Sequence, residues 1–299
     1  MVKIGVRFRR LFLFTTFLFA LGGFLLYVML APCFQTELVN SLATHPEKLP
    51  GDKPLAFTIG GETFRSSFFE VYKKETHSKV KLSGVYVPAR GAKSLVLISH
   101  GNGGTLANIL TNYRAEVLHA KGYAFFVYDY AGYGQSEGKA TYPGLLEDGL
   151  AAYDHCVKDL KFAPDQIILY GLSMGGGVAG EIAARRPARA VMFDCTFVSP
   201  ENLGKKMAPI LKMYPAFLFP QPFYDNLAFV EGKHPPLLIL HGRGDSMVPC
   251  SQSEMLKAKA KDRTTLVILE HSGHCGMADR DRSIYQSAVE KFLAKLPGA

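Results

Sequence analysis

A chain of 299 residues, 48% of them hydrophobic and 20% charged, holds enough apolar material for one sizeable α/β core, so a disordered or disulfide-stapled chain is excluded. Its formal charge of +8 is half accounted for by Lys3, Arg7, Arg9 and Arg10, and the +4 left over is too diffuse for a nucleic-acid footprint. Five cysteines, few and odd in number, do not make a disulfide framework.

From Leu11 to Phe34 no residue is charged. At about 1.5 Å rise per helical residue, that run reaches across a hydrocarbon core of roughly 30 Å, and a transmembrane anchor is expected over residues 11–34. The basic tail, residues 1–10, precedes it and Glu37 follows, which under the positive-inside bias puts the tail in the cytoplasm and the rest on the far side. A cleavable signal peptide fits less well, because the apolar run is too long and no A-x-A site follows it; Pro32 before Cys33 argues against lipoprotein processing. Residues 35–53, with Pro46, Pro50 and Gly51, read as a linker, and 54–299 as the folded domain.

Val80 to Val87 alternates imperfectly and reads as an antiparallel lead-in to a sheet. Ser94 to Ser99 is almost wholly apolar, as a strand buried on both faces must be, and ends in His100-Gly101-Asn102-Gly103-Gly104. Thr105 caps an expected helix running to Lys121, and Gly122 stops it. A second buried strand, Tyr123 to Tyr128, closes at Asp129 in a Gly-rich loop; a helix from Pro143 to Leu160 follows. Further strands are expected at Ile167 to Tyr170, Ala190 to Phe193, Pro236 to Leu240 and Thr265 to Leu269, with a last helix from Arg280 to Leu296. Strands alternating with helices predict an α/β fold with a mostly parallel, doubly wound sheet, whose ligand site lies beyond the carboxyl ends of the strands.

The most informative stretch is Gln166 to Gly177, QIILYGLSMGGG. An apolar strand meets Gly171-Leu172-Ser173-Met174-Gly175 and then a helix-compatible run, the context of a G-x-S-x-G nucleophile elbow. A serine hydroxyl is a weak nucleophile near neutral pH and needs a base, which in turn needs an orienting acid. Asp245 follows one later strand and His274 the next, and the order Ser, Asp, His is that of the α/β-hydrolase arrangement. His271 competes with His274, which is favoured because Gly273 frees the backbone to turn it toward the elbow. Asp194 is the alternative acid; Asp129 is expected to tie down its own loop and His100 to be a structural hydrogen-bonder. An oxyanion would be met by the backbone N–H of Met174 and by that of Asn102 or, less favoured, Gly103. Were Asp245 and His274 to meet, Cys250 and Cys275 would lie near enough for a disulfide suited to an oxidising compartment. No metal or organic cofactor is implied, and the glycines after Ser99 fit neither nucleotide fingerprint.

HGNGG, DYAGYGQSEG, YGLSMGGG, HGRGD with MVP, and SGH, in this order, resemble the α/β-hydrolase superfamily from about residue 75 to 296. Within it the chain is similar to the membrane-anchored bud-emergence-type serine hydrolases, the branch that also holds the α/β-hydrolase-domain depalmitoylases. That resemblance implies Ser173 as nucleophile, Asp245 as orienting acid and His274 as base, in a membrane-tethered hydrolase without a large lid. GLSMGG also occurs in monoglyceride-lipase-like and peptidase-like hydrolases. The apolar stretch from Ser199 to His234 either completes the core or walls an acyl chain. The expected function is hydrolysis of an ester or thioester, with a small-molecule or lipid-like acyl substrate; a peptidase or monoacylglycerol-lipase activity is the alternative, and a non-catalytic membrane-bound binding module the reading from another class.

Overall fold

The computed structural model describes residues 2–51, 53–261 and 263–296, and of residues 2–12 the backbone alone. The side chains of the basic tail and residues 297–299 therefore lie outside the described part.

In chain order the elements are α1 (Val2–Met29), α2 (Thr36–Ala43), β1 (Ala56–Ile59), β2 (Glu62–Lys73), β3 (Ser78–Val87), β4 (Leu95–Ser99), α3 (Leu106–Leu110), α4 (Tyr113–Ala120) and β5 (Ala124–Tyr128). Then come α5 (Gly144–Lys158), β6 (Ile167–Leu172), α6 (Met174–Arg185), β7 (Ala190–Asp194), α7 (Pro200–Met207), α8 (Asn226–Glu231), β8 (Leu237–Gly242), α9 (Ser251–Lys259), β9 (Thr264–Leu269) and α10 (Asp279–Ala294). Among the described residues the strands make one nine-stranded sheet in the order β1-β2-β3-β5-β4-β6-β7-β8-β9. The first three and the β3–β5 pair are antiparallel, and every pairing from β5 to β9 is parallel.

The period-2 geometry of a strand explains why the central ones are apolar throughout. Leu95 and Leu97 of β4, Phe126 and Tyr128 of β5, and Leu169 of β6 face one core, which α5 and α6 cover with Ala152, Val178 and Ile182. Their alternates, Val96, Ile98, Val127, Ile168 and Tyr170, face a second core closed by α3, α4 and α10 through Ile109, Leu118, Tyr285 and Val289. At roughly 25 cal/mol per Å² of apolar area, two such faces are the main stabilising term of the fold.

Three expectations change. The helix over 105–121 is two helices, because the Asn112 side chain accepts from the Arg114 amide and starts α4 afresh. The N-terminal apolar helix ends at Met29, before Pro32 opens a short 3-10 turn at Pro32–Phe34. Among the described residues no helix is long and apolar enough to cross a membrane.

Residues 35–53, expected as a linker, carry α2 and dock on the body. Asn40 is buried and accepts from the Tyr142 amide, and Lys48 pairs with Gly134, whose amide donates to the Glu47 carbonyl. Gly134 sits at φ 47° with no room for a side chain, since a Cβ would fall on the Asp129 carboxylate.

Candidate active site

The turn from β6 to α6 presents Ser173 at φ 52° and ψ −116°, outside the regions that L residues favour. The Ser173 amide donates to the Asp194 carbonyl, and its carbonyl accepts from Thr196 Oγ1 at 2.9 Å and from the Gly176 amide. The flanking glycines are demanded by sterics: a Cβ at Gly171 would lie 2.2 Å from the Gly175 carbonyl oxygen, and one at Gly175 only 2.0 Å from that of Ser99. Strand and helix close on one another only because both positions are bare.

Loops after β8 and β9 bring the partners. His274 Nε2 lies 3.0 Å from Ser173 Oγ, and its Nδ1 2.7 Å from Asp245 Oδ2. With Nδ1–H donating to the carboxylate, Nε2 is left as an acceptor for the serine hydroxyl. Asp245 has a fully buried side chain. Its Oδ1 accepts from the amides of Met247 and Val248, and its Oδ2 also lies 3.2 Å from His241 Nε2. Burial works to raise this carboxyl, but hydrogen bonds from His241, His274 and the Val248 amide outweigh it and hold the group well below the usual carboxylate range. Asp245 is therefore an anion at neutral pH.

The sequence-level alternatives are committed elsewhere. Asp194 pairs with Arg114 at 2.7 Å and accepts from Tyr170 Oη at 2.7 Å. His271 Nδ1 lies 3.0 Å from Asp281 Oδ1, at the start of α10. Asp129 does more than hold its own loop: its carbonyl accepts from Ser136 Oγ, while Oδ1 takes the Leu106 amide and so fixes the start of α3. His100 is buried beside it, with Nε2 3.5 Å from Asp129 Oδ1. Burial lowers the imidazole to about 4 and raises the Asp129 carboxyl to about 7.

Met174 is the first residue of α6, so its amide belongs to the first turn, whose N–H groups have no intrahelical acceptor. Gly101 lies against Ser173, where a Cβ would be 3.5 Å from that of the serine, which brings Asn102 next to the elbow. The Asn102 carbonyl is held by the His45 amide at 2.8 Å and by Tyr133 Oη at 2.7 Å.

Several supports were missed by sequence reasoning. Cys195, at φ 53°, accepts from the Cys275 amide at 3.2 Å and reaches the Gly273 carbonyl at 3.8 Å, so one thiol brackets His274 on both sides. Arg114 Nη2 donates to the Cys275 carbonyl. His241 could have been found, because it opens the HGRGD motif; Cys195 and Arg114 carry no local signal. The cysteine pairing changes too: Cys250 and Cys275 are both free, Cys250 lies against Arg243 and Cys275 against Cys195. Donor atoms of Cys195, His274 and Cys275 fall within 4.8 Å of one another, as do those of Cys195, His241 and Asp245, donor sets that would suit a soft metal ion. His274 and Asp245 are already engaged in the hydrogen-bonded chain to Ser173.

A family model described as serine aminopeptidase, S33, matches residues 90–227. The chain is 30% identical over 226 residues to the uncharacterized protein Rv2307c of Mycobacterium tuberculosis, covering 74% of this chain and 78% of that one. It is likewise 30% identical over 216 residues to the alpha/beta hydrolase domain-containing protein WAV2 of Arabidopsis thaliana, covering 67% and 70%. In shape it is similar to the Pyrococcus furiosus esterase Pf2001, with a TM-score of 0.63 at 20% identity over 86% of this chain and 99% of that one. At 30% identity over two thirds or more of both chains to an alpha/beta hydrolase domain-containing protein, this chain belongs to the α/β-hydrolase superfamily.

Proposed function

We propose that this hydrolase is a serine hydrolase that transfers the acyl group of an ester or thioester to water. The observation that carries the reading is the continuous hydrogen-bonded path from Ser173 Oγ through His274 to the buried Asp245 anion. His274 takes the serine proton as Oγ attacks the carbonyl carbon, and Asp245 holds the ring and balances the imidazolium. The Met174 and Asn102 amides stabilise the oxyanion. The leaving group departs with the proton from His274; water, deprotonated by the same imidazole, then attacks the acyl-enzyme and frees the acid.

The uncharged run from Leu11, and the exposed Phe17, Phe19, Phe24 and Leu25 on α1, support attachment to a membrane through that helix, with the basic tail on the cytoplasmic side and the body on the other. The family model's description favours a second reading, an aminopeptidase. Labelling with a fluorophosphonate probe tests the serine chemistry: the wild type is expected to label and Ser173→Ala not to, and a wild type that stays unlabelled would leave a binding module on a hydrolase scaffold. Acyl-thioesters and p-nitrophenyl esters of graded length, set against aminoacyl p-nitroanilides, separate the two substrate classes.

A further inference from the structure

We propose that the segment between β7 and α8 is a second membrane contact that sets the active-site rim against the lipid surface. Chain order places this segment at the carboxyl edge of the sheet, where Ser173, Asp245 and His274 also stand. From Asn202 to Tyr224 it contains no acidic residue and three lysines. Large apolar side chains project from it into solvent: Met207 is 72% exposed, Ile210 70%, Met213 51% and Phe217 75%. Lys206 and Lys212 are exposed among them. Apolar groups with interspersed lysines are the composition of a surface that sinks partway into the headgroup region of an anionic bilayer.

Continuity with α1 is what commits the patch to lipid rather than to a protein partner. Tyr27, near the end of α1, stacks on Tyr214 with ring centroids 4.8 Å apart, and its hydroxyl donates to the Met213 carbonyl at 2.9 Å. Ala31, Tyr214 and Phe219 form a small core of their own, which Leu211 and Leu218 flank. The inward side of the segment is thus bolted to the end of the apolar helix, and its outward side carries the exposed residues. On a helix held in a bilayer, those residues meet the interface without any rearrangement of the body.

The orientation rests on the reading of α1 as a membrane helix, so the test reports on each separately. The sequence contains no tryptophan, so Phe217→Trp in the full chain supplies a single indole at the patch. Asp165→Trp, in the exposed turn that leads into β6 at the amino edge of the sheet, is the control. In phosphatidylcholine vesicles containing phosphatidylserine, the Phe217→Trp emission is expected to shift to the blue and to be quenched by brominated acyl chains. That of Asp165→Trp should stay quenchable by aqueous iodide. Adding Lys206→Glu and Lys212→Glu should weaken the quenching by brominated lipid. An iodide-accessible indole at 217 in a chain that resists alkaline carbonate extraction overturns the patch and leaves the anchor standing; a lipid-quenched indole in a chain that carbonate extracts does the reverse. A chain that does not bind vesicles removes both. A blue-shifted indole insensitive to brominated lipid assigns the face to a second copy of the chain and overturns the proposal.

Discussion

At Ser173 the backbone is held in a conformation that costs about 1–3 kcal/mol, and the neighbouring contacts over-determine it. Gly175→Ala is the sharpest probe of that arrangement, because the added methyl meets main chain and not a movable side chain. The variant is expected to lose probe labelling and melting temperature together, read by differential scanning fluorimetry beside the labelling gel. Asp245→Asn keeps the size of the acid but removes its charge, leaving the imidazole in the wrong tautomer. A fall in kcat on the order of 10⁴ with little change in KM is expected. Asp129 makes a separate prediction. The folded state keeps its proton up to about pH 7, while an unfolded aspartate releases it near 3.8, so this residue lowers stability as pH rises through that window. Asp129→Asn should therefore melt above the wild type at pH 8, and the two curves should converge toward pH 4. A variant melting below the wild type at pH 8 would remove that account. The meeting of Ser173, His274 and Asp245 was readable in the sequence because each follows an apolar strand in a short glycine-marked loop. The clamp around His274 was not, since Cys195 meets Cys275 across 80 positions and nothing near either cysteine announces the other.

Among the elements, β7 has the widest reach. Its last residue and the two that follow hold the Ser173 turn through the Asp194 carbonyl and Thr196, and the His274 turn through Cys195. One strand end thus fixes the distance between the Ser173 and His274 loops. Arg114 of α4 braces the same place from behind, paired with Asp194 and bonded to the Cys275 carbonyl. Burial opposes its charge, but the Asp194 carboxylate together with Tyr170, Tyr113 and Tyr285 outweighs that and holds the guanidinium protonated. Arg114→Met strands the Asp194 anion and is expected to cost about 3–5 kcal/mol, measured by urea unfolding. Arg114→Met combined with Asp194→Leu should recover much of that stability but not kcat, because the His274 turn stays unbraced. The parallel strands were legible from their unbroken apolar runs. The split between α3 and α4 was not, because apolar residues at helical spacing continue across it while Asn112 caps the second helix from within. The hairpin of β1 and β2 left no comparable signal, since its long strand is exposed on one side and offers no such run.

For the whole molecule, composition and motif order were enough to give a doubly wound sheet with the site at its carboxyl edge. What they misplaced is the stretch after the apolar helix. Pro46, Pro50 and Gly51 suggest a loose tether, yet Asn40, His45 and Lys48 are tied to Tyr142, Asn102 and Gly134. Such contacts join residues about 60 to 100 positions apart and leave no periodic trace. A chain beginning at residue 54 retains every strand and the Ser173, Asp245 and His274 side chains, so it is expected to fold but to turn over substrate at least about tenfold more slowly, with kcat and not KM reduced. Circular dichroism and steady-state kinetics on that chain check both halves of the statement.

The bond from the His45 amide to the Asn102 carbonyl has one more outcome. A protease that clips between Pro46 and Lys53 would set the body loose while the histidine stays behind on the discarded piece. The cut would then quiet the hydrolase, and the fragment without His45 should take up fluorophosphonate more slowly than the intact chain.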